Sequence, residues 1–255
     1  MTTTRLAEAD DSSFTLRKSP WAPIGQLRPS VEVLDYGIVA ESIYDYGFAR
    51  VAACMPRVDL GRPGDNAASI VGMAKEAAAS GALVVAFPEL AVTGYALDDI
   101  FRQRLLIDST RDAVIRIAEE TRDLEALVII GAPLEVGGQL FNCAVVMSKG
   151  SLIGIVPKTY LPTYSEFYES RQFASAPQAS QSYVSLGGTD VDFGTNQLFE
   201  IPEVPGLVLA VDLCEDLWAP IPPSTLGALA GATVLVNLSA SNASVGKSEY
   251  RRSLV

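Results

Sequence analysis

Six short, almost wholly apolar runs rich in β-branched residues constrain the fold of this chain more than any other feature. They are "ALVVAF" (82–87), "ALVIIG" (126–131), "FNCAVVM" (141–147), "SLIGIV" (151–156), "LVLAVDL" (207–213) and "TVLVNLS" (233–239). A strand with one wet face alternates apolar and polar residues; a continuous apolar run suits a strand buried on both faces. Such strands need covering layers, and the sequence supplies helical patterns between them. Asp65 or Asn66 can cap "NAASIVGMAKEAAAS", whose Ala67, Ile70, Val71, Ala74 and Ala78 share one face before Gly81 ends the helix. Val114, Ile117 and Ala118 do the same in "DSTRDAVIRIAEETR", and "PPSTLGALAGA" reads as a short helix opened by proline. "SKG", between the third and fourth runs, predicts an antiparallel hairpin. The expected class is mixed α/β, with a central sheet and outer helices. The polar, glycine-rich residues 174–197 are expected to form a surface excursion. Residues 1–45, rich in Ser, Thr, Pro and charge, read as a tail before a domain over 46–255.

With 255 residues, 49% of them apolar, the chain can bury a substantial core. Its net charge of −11 argues against nucleic acid or an anionic membrane as partner, since either is met through a basic surface. The first twenty residues carry no apolar signal core, and no run approaches the roughly 20 residues of a membrane span, so a cytoplasmic protein is expected. There is no histidine, and Cys54, Cys143 and Cys214 are widely spaced with no Cys-x-x-Cys pair. A metal site or disulfide framework is therefore not expected. Ser-His-Asp and Cys-His catalysis are excluded for want of an imidazole, so carboxylate or lysine must move any protons.

Three places offer chemistry. Glu89 follows an apolar run and Pro88, at a strand's carboxyl end, where open α/β sheets place ligands. Lys158 follows Pro157 in "GIVPKTYLPTYSEFYESR", again at a strand end and among aromatics. Cys214 ends "LVLAVDL" and is followed at once by the polar turn "EDLWAPIPPS". Each alone has a plainer reading: a solvated turn acid, a snorkelling lysine, a cysteine used as a small core hydrophobe. That last reading suits Cys54 and Cys143, which sit inside apolar runs. Together, the three strand-end groups can converge on one point. There a carboxylate can take a thiol proton, the thiolate can attack an amide carbonyl, and an ammonium can stabilise the oxyanion.

"FPEL", "PKTYLPTY" and "LCEDLW", in that order and separated by 69 and 56 residues, resemble the Glu, Lys and Cys motifs of the nitrilase (carbon-nitrogen hydrolase) superfamily. Their flanks, "FPELAVTGYALDDIF", "VPKTYLPTYSEFYESRQF", "GGTDVDFGTNQLFE" and "CEDLWAPIPPS", resemble the glutamine-hydrolysing domains of glutamine-dependent NAD synthetases, from about Ile43 to the end. The resemblance implies a four-layer αββα sandwich that hydrolyses L-glutamine through a glutamyl thioester and releases ammonia. It implies Cys214 as nucleophile, Glu89 as general base and later acid, and Lys158 as oxyanion stabiliser, with Glu166 supporting the site. Tyr95 and Tyr164 would line the glutamine pocket, and Ser239 or Ser241 would hold the substrate's amino-acid end. The glutaminase step needs no cofactor. ATP and magnesium belong to a second, synthetase domain that amidates nicotinic acid adenine dinucleotide, and a homo-oligomer is implied as well.

That domain's Ser-Gly-Gly-x-Asp-Ser loop has no counterpart in the sequence, and "SEYRRSLV" stops at what reads as a helix start, so a truncated amidase domain is expected. Asp212 stands where related proteins commonly carry glutamate. Two alternatives stay open: a stand-alone amidase acting on another ω-amide, and a non-catalytic remnant serving as an interaction module.

Overall fold

The computed structural model describes residues 15–18 and 43–254, and in it the apolar runs become strands of two stacked sheets. The elements in chain order are β1 (Thr15–Lys18), β2 (Val51–Ala53), α1 (Pro63–Ala79), β3 (Val84–Ala86), α2 (Arg104–Glu120), β4 (Leu127–Val136), β5 (Gln139–Ser148) and β6 (Ser151–Pro157). Next come a hairpin of β7 (Tyr183–Leu186) and β8 (Thr189–Asp192), then β9 (Gln197–Glu200), β10 (Val208–Leu213), α3 (Pro223–Leu229), β11 (Val234–Leu238) and α4 (Lys247–Ser253).

The larger sheet has the order β2-β3-β4-β5-β6. β2, β3 and β4 are parallel, β5 returns antiparallel, and β6 reverses again. β3 and β6 therefore point the same way, and the loops that leave them emerge at the same edge. The β5–β6 turn is the expected hairpin, with Lys149 and Gly150 both at positive φ. The second sheet has the order β1-β9-β10-β11, with β10 and β11 parallel. β1 pairs with β9, so part of the stretch read as a tail is a sheet strand; the rest of residues 1–42 lies outside the described residues.

Two apolar clusters show the layering. Ile70, Val71 and Ala74 of α1 and Val114 and Ile117 of α2 pack on Val85, Val128, Ile130 and Val145, one face of the larger sheet. Its other face, with Val84, Leu127, Ile129, Ala144 and Val146, meets Phe199, Leu209, Val211, Leu213 and Leu238 of the second sheet. The larger sheet is thus buried on both sides, as its unbroken apolar runs require, and each large side chain buried in it stabilises the fold by about 1.5–3 kcal/mol. α3 covers the outer face of the second sheet; Gly227 there lets the helix approach so closely that a Cβ would lie 2.4 Å from that of Ala210. The stack is α, β, β, α.

Two local expectations are corrected. α1 starts at Pro63, whose fixed φ suits a first helical turn, so neither Asp65 nor Asn66 is its cap. Asn66 is buried instead, exchanging hydrogen bonds with Asp59 and donating to the Val92 carbonyl at 3.0 Å. The excursion over 174–197 contains the β7–β8 hairpin and the start of β9. These strands are only four residues long, and only β7 alternates wet and buried positions, so they are weaker signals than continuous apolar runs.

Candidate active site

Three strand ends meet at one edge of the sandwich. β3 leads through Pro88 to Glu89, β6 ends immediately before Lys158, and β10 ends immediately before Cys214. The Glu89 turn fits because β4 carries glycine at 131, where a Cβ would lie 2.3 Å from the Leu90 nitrogen and 2.4 Å from the Pro88 oxygen. All three side chains are buried: Lys158 is 0% exposed, Glu89 2% and Cys214 8%. The solvated-acid and snorkelling-lysine readings are thereby set aside.

Lys158 Nζ donates to Glu89 Oε1 at 2.6 Å and to Glu169 Oε1 at 2.7 Å. Glu89 also accepts from Asn142 Nδ2 at 2.8 Å and, on its other oxygen, from the Ala240 N–H at 3.0 Å. The Tyr95 hydroxyl donates to Glu169 at 2.6 Å. The Cys214 thiol lies close enough to Glu89 and Lys158 to feel their charges.

The backbone is strained here. Five non-glycine residues among those described have positive φ; Lys149 serves the hairpin, and Leu90, Asp98, Ser165 and Cys214 lie in the three loops that carry Glu89, Glu169 and the thiol. Left-handed backbone at a non-glycine residue costs about 1–3 kcal/mol and persists only where surrounding contacts enforce it. At Cys214, φ is 41° and the enforcing group is Asp216. Its carboxylate accepts from the N–H groups of Tyr160 at 2.7 Å, Thr159 at 3.0 Å and Leu213 at 3.2 Å. One buried side chain therefore ties the Cys214 turn to the loop that begins at Lys158.

The electrostatics stem from burial. It pulls Lys158 down, but Glu89 and Glu169 outweigh it and hold the ammonium above the usual lysine range. Burial pushes Glu169 up, with Lys158 opposing. The Cys214 thiol is pushed up to about 12, by burial first and then by Glu89, against the pull of Lys158. Burial therefore favours the neutral thiol over the thiolate at Cys214.

From this buried floor Cys214 alone of the three reaches a cleft of about 290 Å³, which is lined also by Tyr164, Glu166, Glu215, Ser241 and Lys247 among others; Glu89 and Lys158 do not line it. That is near the lower end of the ~300–1,000 Å³ typical of small-molecule sites. Tyr164 donates to Glu215 at 2.9 Å, and Lys247 Nζ lies 5.4 Å from the Trp218 ring centroid.

Of the residues that the resemblance placed about the substrate, Tyr164 and Ser241 line the cleft wall. Three others sit elsewhere than the resemblance implied. Glu166 is exposed on the rim, hydrogen-bonded to Asn242; the second carboxylate on Lys158 is Glu169. The turn Glu169–Arg171, anchored by Glu169 N–H to the Pro162 carbonyl at 3.0 Å, carries Glu169 inward. Tyr95 backs Glu169 at the floor instead of lining the cleft, and the Ser239 hydroxyl donates to the Asn237 side-chain oxygen at 2.9 Å. Asn142, Glu169, Asp216, Glu215 and Lys247 escaped the sequence reading. "EFYE" offers two glutamates three residues apart with nothing local to choose between them, whereas the acids directly after Cys214 were a usable signal. Among the described residues, no group of three or more His, Cys, Asp or Glu side chains is placed to hold a metal ion.

Known proteins give this geometry its context. The carbon-nitrogen hydrolase family model matches residues 50–254. A glutamine-dependent NAD(+) synthetase of Mycobacterium tuberculosis is 46% identical over 213 residues, covering 84% of this chain and 31% of that protein. The Mycobacterium leprae protein of the same name is 43% identical over 211 residues, covering 83% and 31%. The chain thus spans about a third of the length of these relatives. Among solved structures, a glutamine-dependent NAD(+) synthetase from Cytophaga hutchinsonii superposes with TM-score 0.69 at 24% identity, over 81% of this chain and 33% of that one. An amidase from Nesterenkonia sp. does so with TM-score 0.56 at 20% identity, over 79% and 68%. At those identities the superpositions speak for the fold alone, and they agree with the αββα stack. With the family model covering most of its length, the chain belongs to the carbon-nitrogen hydrolase family.

Proposed function

We propose that this domain hydrolyses the side-chain amide of L-glutamine, with Cys214 as nucleophile, Glu89 as general base and acid, and Lys158 as oxyanion stabiliser. The observation that carries the reading is the convergence of thiol, carboxylate and ammonium beneath one cleft. Glu89 takes the thiol proton as sulfur attacks the amide carbonyl carbon. The oxygen that gains charge is met by the Lys158 ammonium and by backbone N–H groups of the Cys214 turn, a preorganised low-dielectric setting that strengthens their effect. The tetrahedral intermediate collapses, the C–N bond breaks, and Glu89 returns its proton to the departing ammonia. Water, deprotonated by Glu89, then attacks the glutamyl thioester, releasing glutamate and restoring the thiol.

Glu169 supports this work by sharing Lys158, whose ammonium stays charged with two carboxylates beside it. Two carboxylates, Glu166 and Glu215, and one cation, Lys247, line the cleft, and Glu215 with Lys247 makes a pair suited to the α-ammonium and α-carboxylate of an amino acid. Glutamine as substrate, and release of ammonia to a synthetase domain that uses ATP and magnesium, are supported by the likeness to the mycobacterial relatives.

The test is ammonia release from L-glutamine, L-asparagine and a simple aliphatic amide, with Cys214→Ala as control. Release from glutamine that the variant abolishes is expected. Preference for the aliphatic amide would instead favour an amidase without amino-acid recognition.

A further inference from the structure

β5 crosses the larger sheet with its side chains alternating between the two faces. Phe141, Cys143, Val145 and Met147 face the helices, and Ala144 and Val146 face the second sheet, so Asn142 belongs to the inter-sheet row. It is 0% exposed. Its amide and its backbone both turn to the site. Nδ2 donates to Glu89 Oε1 at 2.8 Å, and the backbone carbonyl accepts from the Lys158 N–H at 2.8 Å. A carboxylate offers only acceptors, so Glu89 fixes which way the amide points, nitrogen toward it and oxygen away. That oxygen, Oδ1, has no hydrogen-bond partner among the described residues. A buried amide left half unmet costs stability that a leucine in this apolar row would not. A residue that breaks the local pattern in this way marks a functional demand, and Glu89 shows what it is. Among the described residues, Glu89 Oε1 accepts from Lys158 Nζ at 2.6 Å and from Asn142, and Oε2 accepts from the Ala240 N–H at 3.0 Å. A carboxylate has about four lone-pair sites, shared equally by its oxygens, so the site left over is on Oε2.

We propose that Asn142 is a positioning residue for Glu89: it fills Oε1 together with Lys158, so that Oε2 is the oxygen that takes and returns the proton. This rests on Glu89 being the general base, and it adds a requirement that Cys214, Glu89 and Lys158 as a set do not contain. Only the bond to the proton changes at Glu89. Oε2 gains it from the attacking thiol or water and gives it back to the departing ammonia or thiolate. The last torsion of a glutamate side chain has broad wells, so hydrogen-bond donors and not the torsion must hold the carboxylate plane. Misplacing a reacting atom by about 1 Å can cost on the order of 100-fold in rate, which sets the scale of what Asn142 guards.

The experiment compares the whole chain with Asn142→Leu, which removes the donor and keeps the volume. Should the leucine variant not fold by urea melt, Asn142→Ala, which leaves space instead of filling it, is read in its place. Two things are measured. One is kcat and KM for ammonia release from L-glutamine; the other is the pH at which the Glu89 carboxyl band titrates, isolated as the infrared difference between each protein and its Glu89→Gln derivative. A carboxylate with one donor fewer holds its proton more tightly, so the infrared midpoint should move to higher pH in the variant. A stronger base would by itself speed proton removal. Aiming predicts the reverse: kcat on the pH plateau falls about 10–100-fold while KM stays within about twofold. A stronger base in a slower enzyme is therefore the expected result. An unchanged or raised kcat would mean that Asn142 tunes Glu89 without aiming it, and would overturn the proposal. An unmoved midpoint, whatever kcat does, would leave Asn142 a structural residue and overturn it too. If the parent chain releases no ammonia from glutamine, that reading fails for this chain, while the infrared midpoint, which needs no turnover, still decides whether Asn142 holds Glu89.

Discussion

The floor and the rim of the cleft share loops but differ in every physical respect. On the floor Glu89, Lys158 and Glu169 are at most 5% exposed, and each is held by two or more hydrogen bonds. On the rim Tyr164 is 54% exposed, and the polar contacts of Glu166 and Asn242 are with each other and with Lys247. A buried charge that loses its partner is left in a poor solvent, whereas an exposed one turns to water. The floor can therefore fix one geometry for one chemistry. The rim can vary without cost to the fold, and variation there changes what enters.

The largest expected contrast comes from Lys158→Met, which leaves two buried carboxylates without their cation. Urea unfolding should show a loss of about 3–5 kcal/mol, and ammonia release should vanish. Glu166→Gln on the rim should change stability by less than about 0.5 kcal/mol. Equal stability for the two variants would erase the distinction. Gly131→Ala comes next. The atoms it would strike are backbone atoms of the Glu89 turn, which cannot swing aside as a side chain can. Overpacking of this kind costs about 1–3 kcal/mol, and because it displaces the base, kcat should fall further than stability alone would account for.

A third effect separates floor from rim by pH. Burial pushes Asp216 up to about 7 from an ordinary 3.8. An acid whose folded pKa exceeds its unfolded one binds more protons in the native state between those values, so it lowers stability as pH rises through that window. Asp212 and Glu169 are shifted in the same direction, also by burial first. The Asp216 contribution to stability should therefore fall from about pH 4 to pH 7, with a slope of up to about 1.4 kcal/mol per pH unit, and Asp212 and Glu169 should act in the same direction. Asp216→Asn, which cannot titrate, should flatten its share of that slope in urea melts taken at several pH values. A slope unchanged by the substitution would show that Asp216 does not carry it.

The sequence was most legible where one residue class repeated. Continuous apolar runs gave the sheet core, and a thiol, a carboxylate and a lysine at three run ends marked the floor before any geometry was available. It was least legible where a role depends on the direction a loop takes. Glu166 and Glu169 are the same residue type in the same aromatic stretch, and only the short turn at Glu169–Arg171 decides which one reaches Lys158. Ser239 and Ser241 divide in the same way: one bonds the Asn237 side chain and the other lines the cleft, because residues two apart share a face only while the strand lasts, and it ends at Leu238. β1 was missed because a four-residue edge strand in a polar stretch has no apolar pattern to show.

The smallest expected effect is the one that tests the rim. If Glu215 and Lys247 receive the two charged ends of an amino acid, their contacts are made alike in the ground state and the transition state. Losing either should then raise KM and leave kcat nearly unchanged. A charge-assisted hydrogen bond is worth about 1.5–3 kcal/mol when shielded and less at a wet site, so Glu215→Gln and Lys247→Met should each raise KM about tenfold. The penalty should be specific: an amide lacking the α-ammonium should be indifferent to Glu215→Gln, and one lacking the α-carboxylate indifferent to Lys247→Met. A fall in kcat at constant KM would instead mean that these side chains act on the reacting centre. Glu215 directly follows Cys214 and Tyr164 holds its carboxylate, so its backbone belongs to the Cys214 turn while its side chain lines the cleft. That residue is where floor and rim join, and the split between KM and kcat there measures how far the two are separable.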